Sequence, residues 1–248
     1  MGLATRGVPT LLIRGDQLVK GEKFNAWRSV GHPAAAMRTH QLRGVDEVIV
    51  LDIGATPEER EPNFKLIERL VDGCFSPVTV GGGVRSVDHV RELLRIGADK
   101  VAICTGAVEV PRLVRECADK FGNQAIVVAI EHAGPFACSR QKCQHPTLWT
   151  AVNFARVFAK AGAGEILLTS ILQEGTQTGY DLPTIAAVSA AVTVPVIAHG
   201  GCGRYEDMYF AVRAGASAVA AGAFFQFTDA TPKKASQFLH ERGIEARV

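Results

Sequence analysis

At 248 residues the chain suits one large α/β barrel or two ordinary domains, and with 47% hydrophobic residues, 21% charged residues and a net charge of +2 it is typical of a globular protein. No basic patch or acidic tail stands out, so we expect neither a nucleic-acid partner nor a membrane surface. The first apolar run is too short for a signal peptide and no stretch approaches a membrane span, which predicts a cytoplasmic protein.

Short β-branched runs alternate with helix-length amphipathic segments along the whole chain, which predicts repeated βα units and a parallel sheet. The first run turns at Arg14-Gly15-Asp16 and returns through residues 17–20. The predicted strands, in chain order, are 8–13, 47–53, 77–80, 100–104, 125–130, 165–170, 195–198 and 218–221. Helices are predicted between them, among others at 87–96, 111–121, 149–161 and 182–192.

Eight strands, each followed by a helix, describe a (βα)8 TIM barrel, with a doubly wound open sheet as the alternative. An internal repeat favours the barrel. PVTVGGG at 77–83 matches PVIAHGG at 195–201, an offset of 118 residues that also aligns Gly97 with Gly215 and DEVIVLDI at 46–53 with GEILLTSI at 164–171. We predict one barrel domain over residues 1–248, built from two fused (βα)4 half-barrels, and a two-ended substrate.

Glycines follow the predicted strands in both halves, at the carboxyl ends where such barrels place their active sites. Glycine lets the backbone approach a ligand, and the N–H groups that open the next helix suit a phosphate. Ordinary turns are the alternative, but two sets related by the repeat predict a ligand with two phosphates. These glycines are Gly81, Gly82, Gly83 and Gly106 in the first half and Gly200, Gly201, Gly203 and Gly222 in the second.

Ionisable residues at strand ends are the candidate acids and bases. The carboxylates are Asp52, Glu131 and Glu174, although helix caps and loop charges are the common alternative. His132 and His199 also follow strands, where a polar loop histidine is commoner than a general base. No Ser-His-Asp or Cys-His motif is visible, which disfavours covalent catalysis.

The six cysteines lack the regular spacing of a disulfide framework, which predicts free thiols. They are Cys74, Cys104, Cys117, Cys138, Cys143 and Cys202. A metal site at Cys138, Cys143 and His145 would be loosely spaced and would lack a fourth ligand, so an ordinary polar loop is favoured. We expect no metal and no cofactor.

Charged residues also stand at the amino ends of the predicted strands. Solvated charges are the ordinary reading, but alternating signs at one level could close a ring across the barrel floor. Such a ring makes sense if something small and polar passes through it. The four residues are Arg6, Glu47, Lys100 and Glu165.

Six segments together resemble one known family. They are KGEKF (20–24), VTVGGGVRSVDHVRELLRIGADKV (78–101), FGNQAIVVAI (121–130), GAGEILLTS (162–170), GTQTGYDL (175–182) and PVIAHGGCG (195–203). They are similar to HisF, the cyclase subunit of imidazole glycerol phosphate synthase, and fit the related isomerase HisA less well. The resemblance implies a barrel that binds a bis-phosphate ribonucleotide and forms a heterodimer with a HisH-like glutaminase, whose ammonia enters through the barrel.

The resemblance also implies roles for individual residues. Asp99 matches a residue that helps to activate the glutaminase, and Lys20 matches a loop lysine that contacts substrate. The ammonia gate corresponds to Arg6, Glu47, Lys100 and Glu165. The phosphate positions correspond to Gly83, Thr105, Gly175, Gly201, Gly203, Gly222 and Ala223, with Cys104 in place of an asparagine.

The catalytic positions depart from the family pattern. Leu12 stands where the first catalytic aspartate is expected, while Glu131 and Glu174 replace the second and third aspartates. Leucine cannot transfer a proton, and the loss of a general acid or base typically lowers the rate by roughly 10²–10⁴-fold. The segment at 132–149 also lacks the family's usual residues.

One HisF-like branch, the WbuZ-type proteins, shares the L-L pair in strand 1 and resembles EREPNFKLI (59–67) and AVAAGAFF (218–225). That branch is associated with acetamidino sugars and supplies ammonia to a separate amidotransferase. The first expectation is therefore a HisF-like subunit with degraded cyclase chemistry that serves amidation of a surface sugar. The alternatives are a functional cyclase subunit in histidine biosynthesis and a non-catalytic scaffold subunit.

Overall fold

The computed structural model describes residues 4–139 and 145–247, and their strands join in one sheet. In chain order the strands are β1 (Arg6–Arg14), β2 (Gln17–Glu22), β3 (Asn25–Gly31), β4 (Val48–Asp52), β5 (Val78–Gly81), β6 (Lys100–Ile103), β7 (Ile126–Ala133), β8 (Phe136–Ser139), β9 (His145–Thr150), β10 (Glu165–Ser170), β11 (Val196–His199) and β12 (Ala218–Ala221).

Eight of these strands close into a parallel barrel. The order around it is β1, β4, β5, β6, β7, β10, β11, β12 and back to β1. Every neighbouring pair in this ring is parallel. This closure confirms the predicted (βα)8 barrel and excludes the open sheet.

Helices follow the barrel strands. They are α1 (Pro33–Leu42), α2 (Phe64–Asp72), α3 (Val87–Arg95), α4 (Thr105–Glu109), α5 (Arg112–Phe121), α6 (Ala151–Ala161), α7 (Leu182–Ser189), α8 (Tyr205–Arg213), α9 (Ala223–Phe227) and α10 (Pro232–His240). None of the described helices is both long and apolar enough to cross a membrane.

Local chemistry sets the helix boundaries. The hydroxyl of Ser86 accepts a hydrogen bond from the His89 N–H and so caps the start of α3, which buries Val90 and Leu93. Helix α6 starts two residues later than predicted, because Trp149 and Thr150 belong to β9 and Thr150 is also the N-cap of the helix.

The side chains of the barrel strands divide between two separate cores. Because side chains alternate along a strand, half of them face the surrounding helices and half face the barrel axis. The axial core is a compact cluster that is buried and apolar, and several of its members are alanine. It contains Val8, Ile49, Ala102, Val127, Leu167, Ile197, Ala218 and Ala220.

The predicted repeat is preserved in the strand boundaries. Moved by 118 residues, β5 falls on Val196–His199, which is β11, and β6 falls on Ala218–Ala221, which is β12. The same offset relates Glu47 to Glu165, so the two floor carboxylates are equivalent positions of the two halves.

Two antiparallel extensions lie at the carboxyl end of the barrel. The predicted return after β1 is confirmed as β2, but its partner β3 was not predicted. The pair β8 and β9 also escaped prediction. The β2–β3 hairpin is held over the barrel by a hydrogen bond of 2.8 Å from the Lys23 N–H to the Glu174 carbonyl.

The cysteines correct one expectation. Cys138 is disulfide-bonded, so the prediction of free thiols is wrong at this position. Cys143 lies outside the described residues, as does the side chain of His145. Over the described part of the chain, no cluster of three or more histidine, cysteine, aspartate or glutamate residues could hold a metal ion. The described cysteines that remain free are Cys74, Cys104, Cys117 and Cys202.

Candidate functional site

A cavity opens at the carboxyl end of the barrel, where the glycines and candidate acids were predicted to meet. Its floor is the top of the axial core, at Leu51, Ala129 and Leu167. Phe24 and Trp27 of the β2–β3 hairpin cover it from above. Its wall carries the strand-end residues Leu12, Asp52, Cys104, Glu131, Thr169 and His199. We call this space the mouth cavity.

Leu12 gives strand β1 an apolar end at the mouth cavity. It is buried, and it pairs in register with Leu51 of β4, so the two leucines lie side by side. The structure thus places Leu12 on the cavity wall, where the resembling family has an acid. This part of the wall has no group that can exchange a proton.

Glu131 brings a second carboxyl group, besides that of Asp52, to the wall of the mouth cavity. Burial raises its pKa to about 7, and a hydrogen bond with the Cys104 thiol opposes that rise. The pKa of Cys104 lies well above its ordinary value, because the thiol is buried and faces the Glu131 carboxylate. Near neutral pH, Glu131 is therefore present in both protonation states beside a neutral thiol.

His199 and Glu174 form a second group of ionisable side chains. Both are buried, and Nε2 of His199 lies 3.9 Å from Oε2 of Glu174. Nδ1 of His199 lies 3.2 Å from the hydroxyl oxygen of Thr169. Burial lowers the pKa of His199, the Glu174 charge opposes this, and the Lys20 charge adds to it. The ring is therefore neutral at pH 7.

The Asp52 carboxylate is held in an ion pair and by hydrogen bonds. Arg60 grips it with two hydrogen bonds, of 2.7 Å and 2.9 Å, and the Gly54 N–H donates a third of 3.1 Å. Arg60 also donates to Glu58, at 2.8 Å. Asp52 thus braces the loop after β4, which leaves Glu131 and Glu174 as the candidate acids among the three predicted carboxylates.

The side chain of Lys20 extends from β2 into the interior rather than into solvent. Its ammonium group is buried and donates to the Thr10 carbonyl at 3.1 Å. Burial lowers its pKa to about 8, and the Glu174 charge opposes this. A Cβ atom added to Gly222 would lie 2.2 Å from Nζ of Lys20, so the lysine side chain passes directly over the glycine that follows β12.

The predicted phosphate positions all lie at the same end of the barrel. Gly83 and Gly201 follow β5 and β11 with φ values of 71° and 103°. Thr105 opens α4, and Ala223 opens α9. Gly222 follows β12, and the remaining members are Gly175 and Gly203, whose backbones pack closely against Gly21 and Gln177. Their roles in binding a phosphate remain predictions.

The opposite end of the barrel carries the predicted charged residues in direct contact. Arg6 donates to both Glu47 and Glu165, the latter at 2.7 Å. Lys100 donates to Glu47 at 3.2 Å and to Glu165 at 3.0 Å. The Thr79 hydroxyl adds a bond of 2.7 Å to Glu47. The four charges therefore close a ring across the floor, which we call the floor ring.

Two further predicted residues are placed differently. Asp99 is exposed beside the floor, where its carboxylate accepts a hydrogen bond of 2.8 Å from the Val78 N–H. His132 faces away from the axis, with Nδ1 lying 3.0 Å from the Gly134 carbonyl oxygen and 3.8 Å from Asp181. Of the two candidate histidines, the structure brings His199 into the mouth cavity.

Sequence reasoning missed several residues of the site. Phe24 and Trp27 belong to the unpredicted hairpin, and their spacing in the sequence does not predict that they lie over the mouth cavity. The ion pair between Arg60 and Asp52 joins the loop after β4 to the last residue of that strand, eight positions earlier. The alternation along the strands could have found Thr79, which lies two residues before the glycine that ends β5.

Comparisons with known proteins agree with this geometry. The family described as "Histidine biosynthesis protein" matches residues 8–231. The chain is also 46% identical, over 251 aligned residues, to the imidazole glycerol phosphate synthase subunit HisF of Hyphomonas neptunium. That alignment covers 99% of this chain and 99% of the relative.

The floor ring predicts a large loss of stability in Glu47→Gln. Glutamine can still accept from Thr79, but Arg6 and Lys100 would then share one carboxylate. We expect the free energy of unfolding, measured with urea at pH 7, to fall by up to about 3 kcal/mol. Glu92→Gln, which breaks an exposed ion pair with Arg95, is the control and should change little. Equal effects of the two substitutions would contradict the closed ring.

The raised pKa of Glu131 predicts a pH-dependent gain of stability in Glu131→Gln. Between pH 4.5 and about 7 the folded chain keeps a proton on Glu131 that the unfolded chain has lost. Wild-type stability therefore falls as pH rises through this window and levels off above it. The Tm of the variant should match wild type near the lower limit and exceed it at pH about 8. Glu241→Gln, at an exposed position, should show no such trend.

Proposed function

The chain belongs to the histidine biosynthesis protein family and within it to HisF, and on that premise we propose that it is the cyclase subunit of an imidazole glycerol phosphate synthase. In this proposal ammonia from a glutaminase meets a phosphorylated ribonucleotide in the mouth cavity. The observation that carries it is the continuous column of axial side chains that joins the floor ring to a cavity holding Glu131.

The middle of that column supports the passage of neutral ammonia. Its residues are apolar, and Ala102, Ala218 and Ala220 are small. Moving an unpaired ammonium ion into such surroundings costs many kcal/mol, whereas a neutral molecule avoids that cost. The floor ring lies at the entrance, where its cations and carboxylates can hold or release a polar guest by breaking contacts of about 3 Å.

The outer face of the floor supports a docked partner. The side chains of Leu42 and Phe75 are 85% and 95% exposed, and both precede barrel strands, at the amino ends. Their segments are joined by a contact of 2.6 Å between Gln41 Nε2 and Cys74 Sγ. Exposed apolar side chains next to Asp99 fit a protein interface. We assign this face to a HisH-like glutaminase, which would make the complex a heterodimer.

The mouth supports a phosphorylated ligand. Lys20 supplies a buried positive charge beside the glycine that follows β12. The glycines after β5 and β11 supply backbone N–H groups in repeat-related positions. A ligand with a phosphate at each end would contact both halves of the barrel, which matches the bis-phosphate ribonucleotide implied by the resemblance.

A second candidate function is favoured by Leu12. With no acid at the end of β1, the barrel could deliver ammonia to a separate amidotransferase for a surface sugar. The comparisons give no support to the WbuZ-type branch, so this candidate rests on Leu12 and on the short segments at 59–67 and 218–225. A scaffold subunit without chemistry is the third candidate, and it predicts that the floor ring is irrelevant to turnover.

Turnover with ammonium salts tests the proposed function directly. The purified chain should convert the bis-phosphate ribonucleotide of the cyclase reaction without a partner. Leu12→Asp should raise kcat, because it adds a carboxyl group to the cavity wall, by about tenfold or more. Leu12→Asn, which cannot exchange a proton, is the matched control and should not. Absence of turnover in wild type and in Leu12→Asp would favour the sugar candidate.

Arg6→Ala tests the route of ammonia. Removal of this guanidinium opens the floor ring, so we expect glutamine-dependent turnover with the glutaminase to fall severalfold, while turnover with ammonium salts persists. Arg112→Ala, which removes an exposed arginine of α5, is the control. Equal coupled rates for wild type and Arg6→Ala would support the scaffold candidate instead.

A further inference from the structure

The ring of His199 is buried in the wall of the mouth cavity, and one of its two nitrogens makes no hydrogen bond with the described residues. Nδ1 lies 3.2 Å from the Thr169 hydroxyl. Nε2 has no hydrogen-bond partner among the described residues, and Oε2 of Glu174 lies 3.9 Å away. Leaving a buried polar atom without a hydrogen-bond partner destabilises the fold. This nitrogen is therefore held available for a group that enters the cavity.

The other ionisable groups of the cavity wall leave few choices for proton transfer. Asp52 is held by Arg60 through two hydrogen bonds. Cys104 is a neutral thiol, because burial raises its pKa well above the ordinary value. Among the cavity-lining residues this leaves Glu131 and His199.

The strand register places these two groups on either side of one residue. Glu131 of β7 pairs with Thr169 of β10, and Thr169 pairs with His199 of β11. Neighbouring strands are about 4.8 Å apart, so the backbones of Glu131 and His199 are about 10 Å apart. A small reacting group above Thr169 could be reached from both sides.

We propose that His199 and Glu131 form the pair that exchanges protons with the substrate, with Thr169 as the residue that positions the imidazole ring. The inference rests on the proposed cyclase function and deepens it. It assigns the missing acid–base capacity to the end of β11, which one strand, β12, separates from the apolar end of β1.

In this pair one group takes a proton from the substrate and the other gives one back. When Nδ1 carries the hydrogen and donates it to Thr169, the lone pair of Nε2 faces the cavity. Nε2 takes a proton from the substrate, and the resulting imidazolium is stabilised by the Glu174 carboxylate. Glu131 gives a proton to the substrate from its protonated form. Each group then returns to its starting state by exchange with the product or with water, so no other reactant is needed.

The charges around the pair suit these roles. Glu174 faces His199 from the loop after β10, Lys20 faces it from β2, and its partner on β12 is Ala220, which carries no charge. Burial, the larger effect, and Lys20 lower the pKa of His199, whereas burial raises the pKa of Glu131 to about 7. Near neutral pH the cavity thus holds a neutral base and a partly protonated acid.

The internal repeat argues against a purely structural histidine. His199 is the position equivalent to Gly81, which ends β5 in the other half. A Cβ atom at Gly81 would lie 2.9 Å from Cβ of Ala102, so that half of the barrel closes with no side chain there. The fold therefore does not require an imidazole at this level.

Kinetics of His199→Gln with ammonium salts test the proposal. We expect kcat to fall by about 10²–10⁴-fold, with a smaller change in KM. The acidic limb of the wild-type kcat profile, caused by protonation of His199 below pH 6.5, should be lost in the variant. His240→Gln, at an exposed position of α10, is the matched control.

Two further measurements keep the proposal falsifiable if His199→Gln folds poorly. Thr169→Val should alter the acidic limb, because it removes the acceptor that sets the tautomer. Adding Leu12→Asp to His199→Gln should restore part of the lost kcat. A wild-type profile with no acidic limb, or a kcat of folded His199→Gln within about threefold of wild type, would overturn the inference alone. Absence of wild-type cyclase turnover would overturn both the inference and the proposed function.

Discussion

The alternation of side chains along eight closed strands is the constraint on which the rest of the structure depends. Once the barrel closes, every second residue of a strand must face the axis. Strand β10 illustrates the consequence, because Glu165, Leu167 and Thr169 occupy the floor ring, the axial core and the mouth cavity in turn. The charged floor ring, the apolar axial core and the mouth cavity are therefore successive levels along the barrel axis.

The levels depend on one another through burial. Burial raises the pKa of Glu131 and lowers that of His199. The charges of the floor ring are also largely buried, and buried charges persist only when they are paired. The β2–β3 hairpin completes the enclosure by placing Trp27 over the mouth cavity. Leu12, which stands where the resembling family has an aspartate, extends the apolar surface to the end of β1.

The features that were predicted from the sequence alone are ones that depend on period or repeat. The barrel, the offset of 118 residues and the four charges of the floor follow from alternation along strands, and the structure confirms their placement. Features that depend on the direction of an individual side chain were not predictable. The grip on Asp52 and the difference between His132 and His199 are examples, because only strand register shows which side chain faces the axis. The comparisons confirm the HisF family, while the finer branch stays a proposal.

Isotope competition tests the passage of ammonia through the column most directly. The chain and its glutaminase partner would be given glutamine labelled with ¹⁵N at the amide, together with an excess of unlabelled ammonium in solution. The account predicts a product enriched in ¹⁵N well above its share of the free ammonia, because the label travels inside the barrel. A product whose label matches the bulk solution would contradict the account, since it would show that ammonia reaches the mouth cavity from outside.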